Sequence, residues 1–292
     1  MYLPQIALHE ASTLDDAAAA MTRYSPRARL LAGGTDVLVD LKSGRINIDH
    51  LVSINRIDAL RGLSITENGL SIGALTPVGR LEQSPFVSGC FSPILDAARK
   101  MASPQIRNVA TVGGNIAGAV PCADLPPILI AMGALVKLWS PSGERKIALD
   151  DVVLDVRKTA LRDDELLTKV LVPTPPPRFG AAYVRFGLRD GNTIAVAAVA
   201  AALTLGDDHE IQHARVVLGA VAPIPKVVEP AADILRGQTP EDEVFRHVAV
   251  LARDAAQPIS DVRGSADFRR ELVEILTRRA LAAACQRAQE AS

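Results

Sequence analysis

Cysteine is scarce and scattered: Cys90, Cys122 and Cys285 are the only three in 292 residues, and none forms a CxxC pair. That excludes a disulfide framework and a four-thiolate cluster site. Histidine is as thin, with five residues at positions 9, 50, 209, 213 and 247. His209 and His213 have the only suggestive spacing, but they fall in and after the polar run Gly206-Asp-Asp-His-Glu210. That run reads as a turn between strands, where two imidazoles share no helical face, so no metal site is expected. Aromatic residues make up 3% of the chain, and Lys+Arg 32 against Asp+Glu 33 leaves a net charge of -1. A chain with neither stacking platforms nor a basic footprint is not a nucleic-acid binder by composition. Long apolar runs are missing too: Ile194 to Leu205 is alanine-rich, interrupted by Thr204 and too short to span a bilayer. Met1-Tyr2-Leu3-Pro4 has no basic segment ahead of an apolar stretch, so no secretory signal is expected and a cytoplasmic location is.

What is present is a chain that is 48% hydrophobic and long enough for about two domains. Thr13 followed by Asp16 opens an alanine-rich helix that Ser25-Pro26 stops near Tyr24. Arg29 to Ala32 reads as a strand, Val37, Leu38 and Leu41 as a helix ended by Gly44, and Leu51 to Ile54 as a second strand. Asn68-Gly69 between two Leu-Ser-Ile triplets signals a hairpin, and Thr76-Pro77 an N-cap with the first helical residue. Helices follow over about Pro93–Met101 and from Asp124, then strands over Leu135–Trp139, Lys146–Leu149 and Leu166–Val172.

Pro173-Thr-Pro-Pro-Pro177 cannot continue inside a sheet and reads as a stiff connector at a domain boundary. Beyond it, Tyr183–Leu188, Ile194–Leu205 and Ala214–Val221 read as antiparallel strands. Helices over Glu229–Arg236, Pro240–Ala255 and Asp267–Ala288 close the chain. Strands followed by helices on one face make an α+β unit.

Two elements can carry chemistry: Leu31-Ala32-Gly33-Gly34-Thr35-Asp36 and Thr111-Val-Gly113-Gly114-Asn115-Ile116. Each reads as an apolar strand running into a diglycine and then a polar residue. Without Cβ atoms such a loop admits close approach and positive φ, and its successive N–H groups can converge on an anion. Two such loops could grip the two halves of a diphosphate; each could equally be a tight turn. Neither matches G-x-G-x-x-G or G-x-x-x-x-G-K-[ST], which leaves Rossmann and P-loop sites unsupported. No general acid/base dyad is evident, so no catalytic side chain is assigned. Arg107 could face a phosphate or a structural carboxylate. Cys122, with no assignable histidine base, reads as a small core residue.

With these residues in view, the chain resembles the FAD-binding medium subunit of molybdenum hydroxylases, the family of xanthine dehydrogenase and carbon monoxide dehydrogenase. The resemblance rests on Leu30-Leu-Ala-Gly-Gly-Thr-Asp-Val37, Ile72-Gly-Ala-Leu-Thr76, Ser103 through Ile116, Pro121-Cys-Ala-Asp124 and Asp261-Val-Arg-Gly-Ser-Ala-Asp-Phe-Arg-Arg270 with Arg278-Arg-Ala-Leu281. It covers nearly the whole chain. It implies an α+β fold: a vanillyl-alcohol-oxidase (PCMH)-type FAD-binding domain over residues 1–175, in subdomains of about 1–56 and 57–175. A C-terminal domain over 178–292 would carry a three-stranded sheet with a helical bundle.

The resemblance also implies roles. Leu31, Ala32, Gly33, Gly34, Thr35 and Asp36, with Thr111, Gly113, Gly114 and Asn115, would hold the FAD diphosphate. Asp124 would accept hydrogen bonds from the ribose or a neighbouring polar group; its position reads equally as only the N-cap of the following helix, and both roles can coexist. Leu167 would lie against the cofactor. Arg185 would sit near the flavin as a fixed cation, and Met101 would stand where some relatives place an aromatic ring beside it. Partner subunits would carry molybdopterin and two two-iron two-sulfur clusters, in a dimer of heterotrimers that passes electrons to NAD, oxygen or a quinone. The alternative is a stand-alone flavin reductase or oxidase of the same superfamily. The short stretch between Asn115 and Asp124 has no room for a cluster-bearing insert, and no histidine flanks either diglycine for covalent flavin attachment. Thr35, where the carbon monoxide branch tends to have histidine, leans toward the xanthine dehydrogenase side.

Overall fold

In the computed structural model, residues 5–189 and 191–291 are described, so the N-terminal Met1-Tyr2-Leu3-Pro4 reading lies outside the described residues. The first element is β1 (Ala7–Glu10), a strand too short and too exposed to show in the pattern. The capping box opens α1 (Leu14–Tyr24) as the sequence dictates: Thr13 Oγ1 accepts the Asp16 N–H at 3.0 Å while the Asp16 carboxylate accepts the Thr13 N–H at 3.2 Å. Then come β2 (Ala28–Leu31), α2 (Val37–Lys42) and β3 (His50–Ser53), giving a parallel sheet of order β1-β3-β2. Parallel neighbours need crossovers, and α1 and α2 lie in the two connections.

A second sheet is wholly antiparallel. It starts with the hairpin β4 (Leu63–Thr66) and β5 (Gly69–Gly73), turning at Asn68-Gly69. Five helices follow: α3 (Val78–Gln83), α4 (Ile94–Lys100), α5 (Pro104–Arg107), α6 (Val112–Ala117) and α7 (Leu125–Ala131). Here α3 begins one residue later than expected: Pro77 takes the cap position, and the Thr76 hydroxyl donates instead to the Gly62 carbonyl at 2.9 Å. The chain returns through β6 (Leu135–Ser140), β7 (Gly143–Ala148), the small hairpin β8 (Val153–Asp155) and β9 (Lys158–Thr159), and β10 (Leu166–Pro173). The sheet order is β4-β5-β10-β6-β7. Pro173 corrects the expectation for the connector: it is the last residue of β10, opposite Gly69, and the irregular link starts only at Thr174. At a strand end the missing N–H costs no ladder bond.

The third sheet contains β11 (Phe179–Phe186), β12 (Ala197–Leu205), β13 (Ile211–Gly219) and the two-residue β14 (Lys226–Val227) in sequential order. It has four strands rather than the expected three, because the chain after Val221 folds back for two residues. Gly187-Leu188 and Ile194 to Val196 flank the strands instead of extending them. Helices α8 (Pro230–Leu235), α9 (Asp242–Ala255) and α10 (Ala266–Glu290) complete the α+β architecture.

Every residue of β12 is buried. Its alanines let α10 approach one face and α7 the other, so helices cover both faces rather than one. As a result one core runs from Leu70, Ile72 and Ile128 through to Ala181, Ala198 and Val217, and a second fills the space between the third sheet and α8–α10. Among the described residues no helix is long and apolar enough to cross a membrane.

Candidate functional site

The first diglycine leaves β2 and packs directly on the segment that leads into α6. A Cβ on Gly33 would lie 2.0 Å from the Val109 carbonyl oxygen and 2.8 Å from its carbon, so only glycine permits this contact. Gly34 adopts φ +73. The carbonyls of the loop are engaged: Ala32 accepts from Asn55 Nδ2 at 3.0 Å, Gly34 from the Leu38 N–H at 3.2 Å and Asp36 from the Asp40 N–H at 2.9 Å. Among the described residues, the N–H groups of Gly33, Gly34, Thr35 and Asp36 have no protein partner. A run of free donors on a turning backbone is the arrangement that holds an oxyanion.

The second diglycine differs from its expected form. Thr111 to Asn115 is not a loop after a strand but the N-cap and first turn of α6, with Thr111 making only an isolated bridge to Pro77. Thr111 Oγ1 accepts the Gly114 N–H at 3.1 Å, and the Val112 and Gly113 N–H groups donate to the Thr76 and Ala74 carbonyls at 3.0 and 2.9 Å. The Asn115 N–H donates to the Thr111 carbonyl at 2.9 Å. A Cβ on Gly113 would meet the Ala74 Cβ at 2.7 Å. The two elements therefore divide the work: the first offers free donors, and the second, its N–H groups already used, packs α6 tightly beneath them.

Asn115 reaches further. Its Oδ1 accepts the Leu125 N–H at 3.3 Å and its Nδ2 contacts the Met101 sulfur at 3.6 Å, linking α6 to the start of α7. Met101 and Leu167 are both buried in the core shared by the second and third sheets.

A cross-link that nothing in the sequence signals ties α2, which follows the first loop, to the end of α6. Arg157, at the tip of the β8–β9 hairpin with φ 60, donates its N–H to the Ala119 carbonyl at 2.8 Å and its Nη1 to the Gly118 carbonyl at 3.3 Å. Its Nη2 pairs with the buried Asp40 carboxylate of α2 at 2.6 Å. Nearby, desolvation pushes the Asp36 carboxyl above the usual carboxylate range; Arg157 opposes the shift and the Asp40 charge adds to it. A carboxyl driven toward its neutral form is compatible with an anion on the adjacent loop.

Asp124 lies at the seam between the second and third sheets. The expected capping role is not there: its backbone is helical, and its side chain makes no cap bond. Its Oδ1 instead accepts from the Tyr183 hydroxyl at 2.8 Å and from Arg185 Nη1 at 2.9 Å, both on β11. The Arg185 side chain is 4% exposed, and its Nη2 donates to the Thr193 carbonyl at 3.1 Å. Burial raises the Asp124 carboxyl against the opposing pull of Arg185 and Tyr183, and burial beside that carboxylate raises the Tyr183 phenol well above its ordinary value.

The remaining candidates resolve into structure. Arg107 bonds Glu82 at 2.6 Å and the Met101 carbonyl at 2.9 Å, the carboxylate partner rather than the phosphate. Burial and the Asp124 charge raise the Cys122 thiol, which disfavours a nucleophilic thiolate. His209 sits in the expected turn, hydrogen-bonded to Arg178 at 2.7 Å, and among the described residues no group of three or more metal-ligating side chains comes together.

The residues present fit a flavin dinucleotide: free N–H donors for a diphosphate, and a buried carboxylate with Oδ2 uncommitted for a hydroxyl. Comparison with known proteins agrees. A family profile described as the FAD binding domain in molybdopterin dehydrogenase matches residues 4–175, and one described as the CO dehydrogenase flavoprotein C-terminal domain matches 182–284. The chain is 32% identical to the carbon monoxide dehydrogenase medium chain of Afipia carboxidovorans over 280 residues, 96% of each chain. It is 31% identical to the putative xanthine dehydrogenase FAD-binding subunit of Escherichia coli K12 over 278 residues, 94% of each. The structure of carbon monoxide dehydrogenase from Hydrogenophaga pseudoflava lacking the Mo-pyranopterin moiety superposes with a TM-score of 0.95 at 31% identity, covering 98% of this chain and 99% of that one. Identities this close do not separate the two branches, so the lean drawn from Thr35 gains nothing from them.

Proposed function

Because the chain belongs to the family of FAD-binding medium subunits of molybdenum hydroxylases, we infer that it is the component through which electrons leave such a complex. It is a subunit of an oxidoreductase and carries an FAD-binding domain. We assign that domain to residues 1–175, with subdomains 1–56 and 57–175, and the C-terminal domain to 178–292; the extents of the two profile matches support the division.

Leu31 to Asp36 would hold the diphosphate on the free N–H groups of Gly33 to Asp36, while Thr111, Gly113, Gly114 and Asn115 brace that loop from below. Asp124 would accept a hydroxyl of the cofactor. Leu167 and Met101 would wall the site with aliphatic and thioether surface, the latter in place of an aromatic ring. Arg185, paired with Asp124, favours the charged form of that carboxylate against the burial that raises it, rather than standing free as a cation. When bound, FAD supplies a store that accepts electrons singly and releases them in pairs. The chain contributes binding, orientation and electrostatics and needs no acid/base dyad of its own.

The reading places molybdopterin in a large partner subunit and two two-iron two-sulfur clusters in a small one, as a cytoplasmic dimer of heterotrimers. NAD, oxygen or a quinone would be the final acceptor. The observation that carries it is the close approach of Gly33 to Val109, which sets the first diglycine loop, with its free N–H groups, against the segment leading into the second. That relatives matched over nearly their whole length include a medium chain and an FAD-binding subunit weighs against a stand-alone reductase or oxidase. The test is the absorption spectrum of the purified chain after reconstitution with FAD. Retained flavin bands are expected, and a colourless protein overturns the assignment.

A further inference from the structure

We propose that Tyr183 is a positioning residue for the dinucleotide: from the C-terminal sheet, its hydroxyl and Arg185 together hold Oδ1 of Asp124, leaving Oδ2 as the acceptor offered to the cofactor. This rests on the FAD reading above and adds that the site is completed by β11, not by the first 175 residues alone. Both donors bind the same oxygen, at 2.8 and 2.9 Å, and among the described residues Oδ2 has no hydrogen bond. Among the described residues Oδ2 is not one of the fully enclosed side-chain atoms that lack a partner, although the residue is only 5% exposed. A carboxylate held by two donors on one oxygen has one orientation, with the other oxygen fixed in direction. Tyr183 itself is buried, and among the described residues its hydroxyl has no second partner, so its side chain makes its polar contact with Asp124.

The same contact favours the charged form of Asp124, behind the larger effects of burial and the Arg185 charge. A hydrogen bond donated to the charged form favours it, so loss of the Tyr183 hydroxyl raises a carboxyl that burial has already raised. Among the described residues the other charged or titratable groups around it are Arg185 on β11 and Cys122 in the preceding loop, with Asp36 and Arg263 acting electrostatically on Cys122. Asp96 of α4 accepts the Tyr183 backbone N–H at 3.2 Å and pairs with Arg287 of α10, so that pair meets the backbone of Tyr183 and not its hydroxyl.

The experiment is a titration of the full flavin-stripped chain with FAD across the mildly acidic to neutral range, for the unaltered protein, Tyr183→Phe and Asp124→Asn. Folding of each variant is checked by circular dichroism. For Tyr183→Phe the expected results are affinity about tenfold weaker, the scale of a lost hydrogen bond to a charged group, and an acid limb of binding displaced to higher pH. Asp124→Asn is expected to abolish the acid limb altogether. Unaltered protein that binds no FAD overturns the cofactor reading itself. Unaltered protein that binds while Tyr183→Phe keeps both its affinity and its pH profile overturns the positioning role alone. If Tyr183→Phe fails to fold, the Asp124→Asn profile decides: an acid limb that persists without the carboxylate overturns the proposal, and its loss supports it.

Discussion

Gly33 carries the tightest constraint on any single position in the site. Its missing side chain is replaced by the Val109 carbonyl, so even one methyl group must push the first loop away from α6. Gly33→Ala should weaken FAD retention by at least about tenfold and lower thermal stability by roughly 1–3 kcal/mol, the usual cost of overpacking. Flavin content per chain and the thermal midpoint measure the two effects separately. The sequence marked this glycine as special but left open whether it served a turn or a ligand. The reason it is glycine, a close backbone approach, involves a residue 76 positions away. Asp124 shows the opposite case. Its position before a Pro-Pro helix start reads as a cap, yet its partners come from β11, and no local pattern could announce Tyr183 as the donor.

Elements were legible where their signals are local. The capping box of α1, the Asn68-Gly69 hairpin and the long α10 all follow from residues within a few positions of one another. The β8–β9 hairpin did not show, because its strands are short and its role depends on Arg157 meeting Asp40 across the chain. The helical state of the second diglycine was missed for a similar reason. Val109, Thr111 and Val112 are β-branched, but among the described residues no strand pairs with them beyond the isolated Pro77 bridge, and the Thr111 cap decides in favour of a helix.

Within the second sheet, β7 is tied to the approach of β10 by a bidentate pair, Arg145 to Glu165 at 2.6 and 2.8 Å, with the Arg162 N–H adding a third bond at 2.8 Å. These bonds, the one from Arg145 foremost, hold the Glu165 carboxyl below its ordinary range. A carboxyl depressed in the folded state stabilises above its unfolded-state value, and the benefit is lost as pH falls through the folded value. Glu165→Gln should therefore cost about 1 kcal/mol at neutral pH, with the gap to the unaltered protein closing as the solution is acidified. Thermal melts across the acidic range check this, and a gap that stays constant with pH would count against it.

At the scale of the molecule, the third sheet and its helices are bound to the rest by a shared apolar core and a few charged ties. Arg287 on α10 reaches Asp96 on α4 at 2.6 and 3.1 Å and also the Ala181 carbonyl at 2.6 Å, joining three elements. Both side chains are partly exposed, so the direct pair is modest. A double-mutant cycle of Asp96→Ala and Arg287→Ala should give a coupling of about 1 kcal/mol in unfolding free energy. If the two losses simply add, the pair contributes nothing to holding the units together.

Residue chemistry and spacing by themselves determined the α+β class, most helix and strand positions and the two glycine elements, because each depends on periodicity, caps and turns within short windows. Only the tertiary structure decided that the first glycine loop packs on the segment leading into the second, that one keeps free donors while the other spends its own, and that Asp124 answers to β11. Those outcomes depend on which backbone groups meet across long separations, and a linear pattern does not encode which partner will already have satisfied each donor.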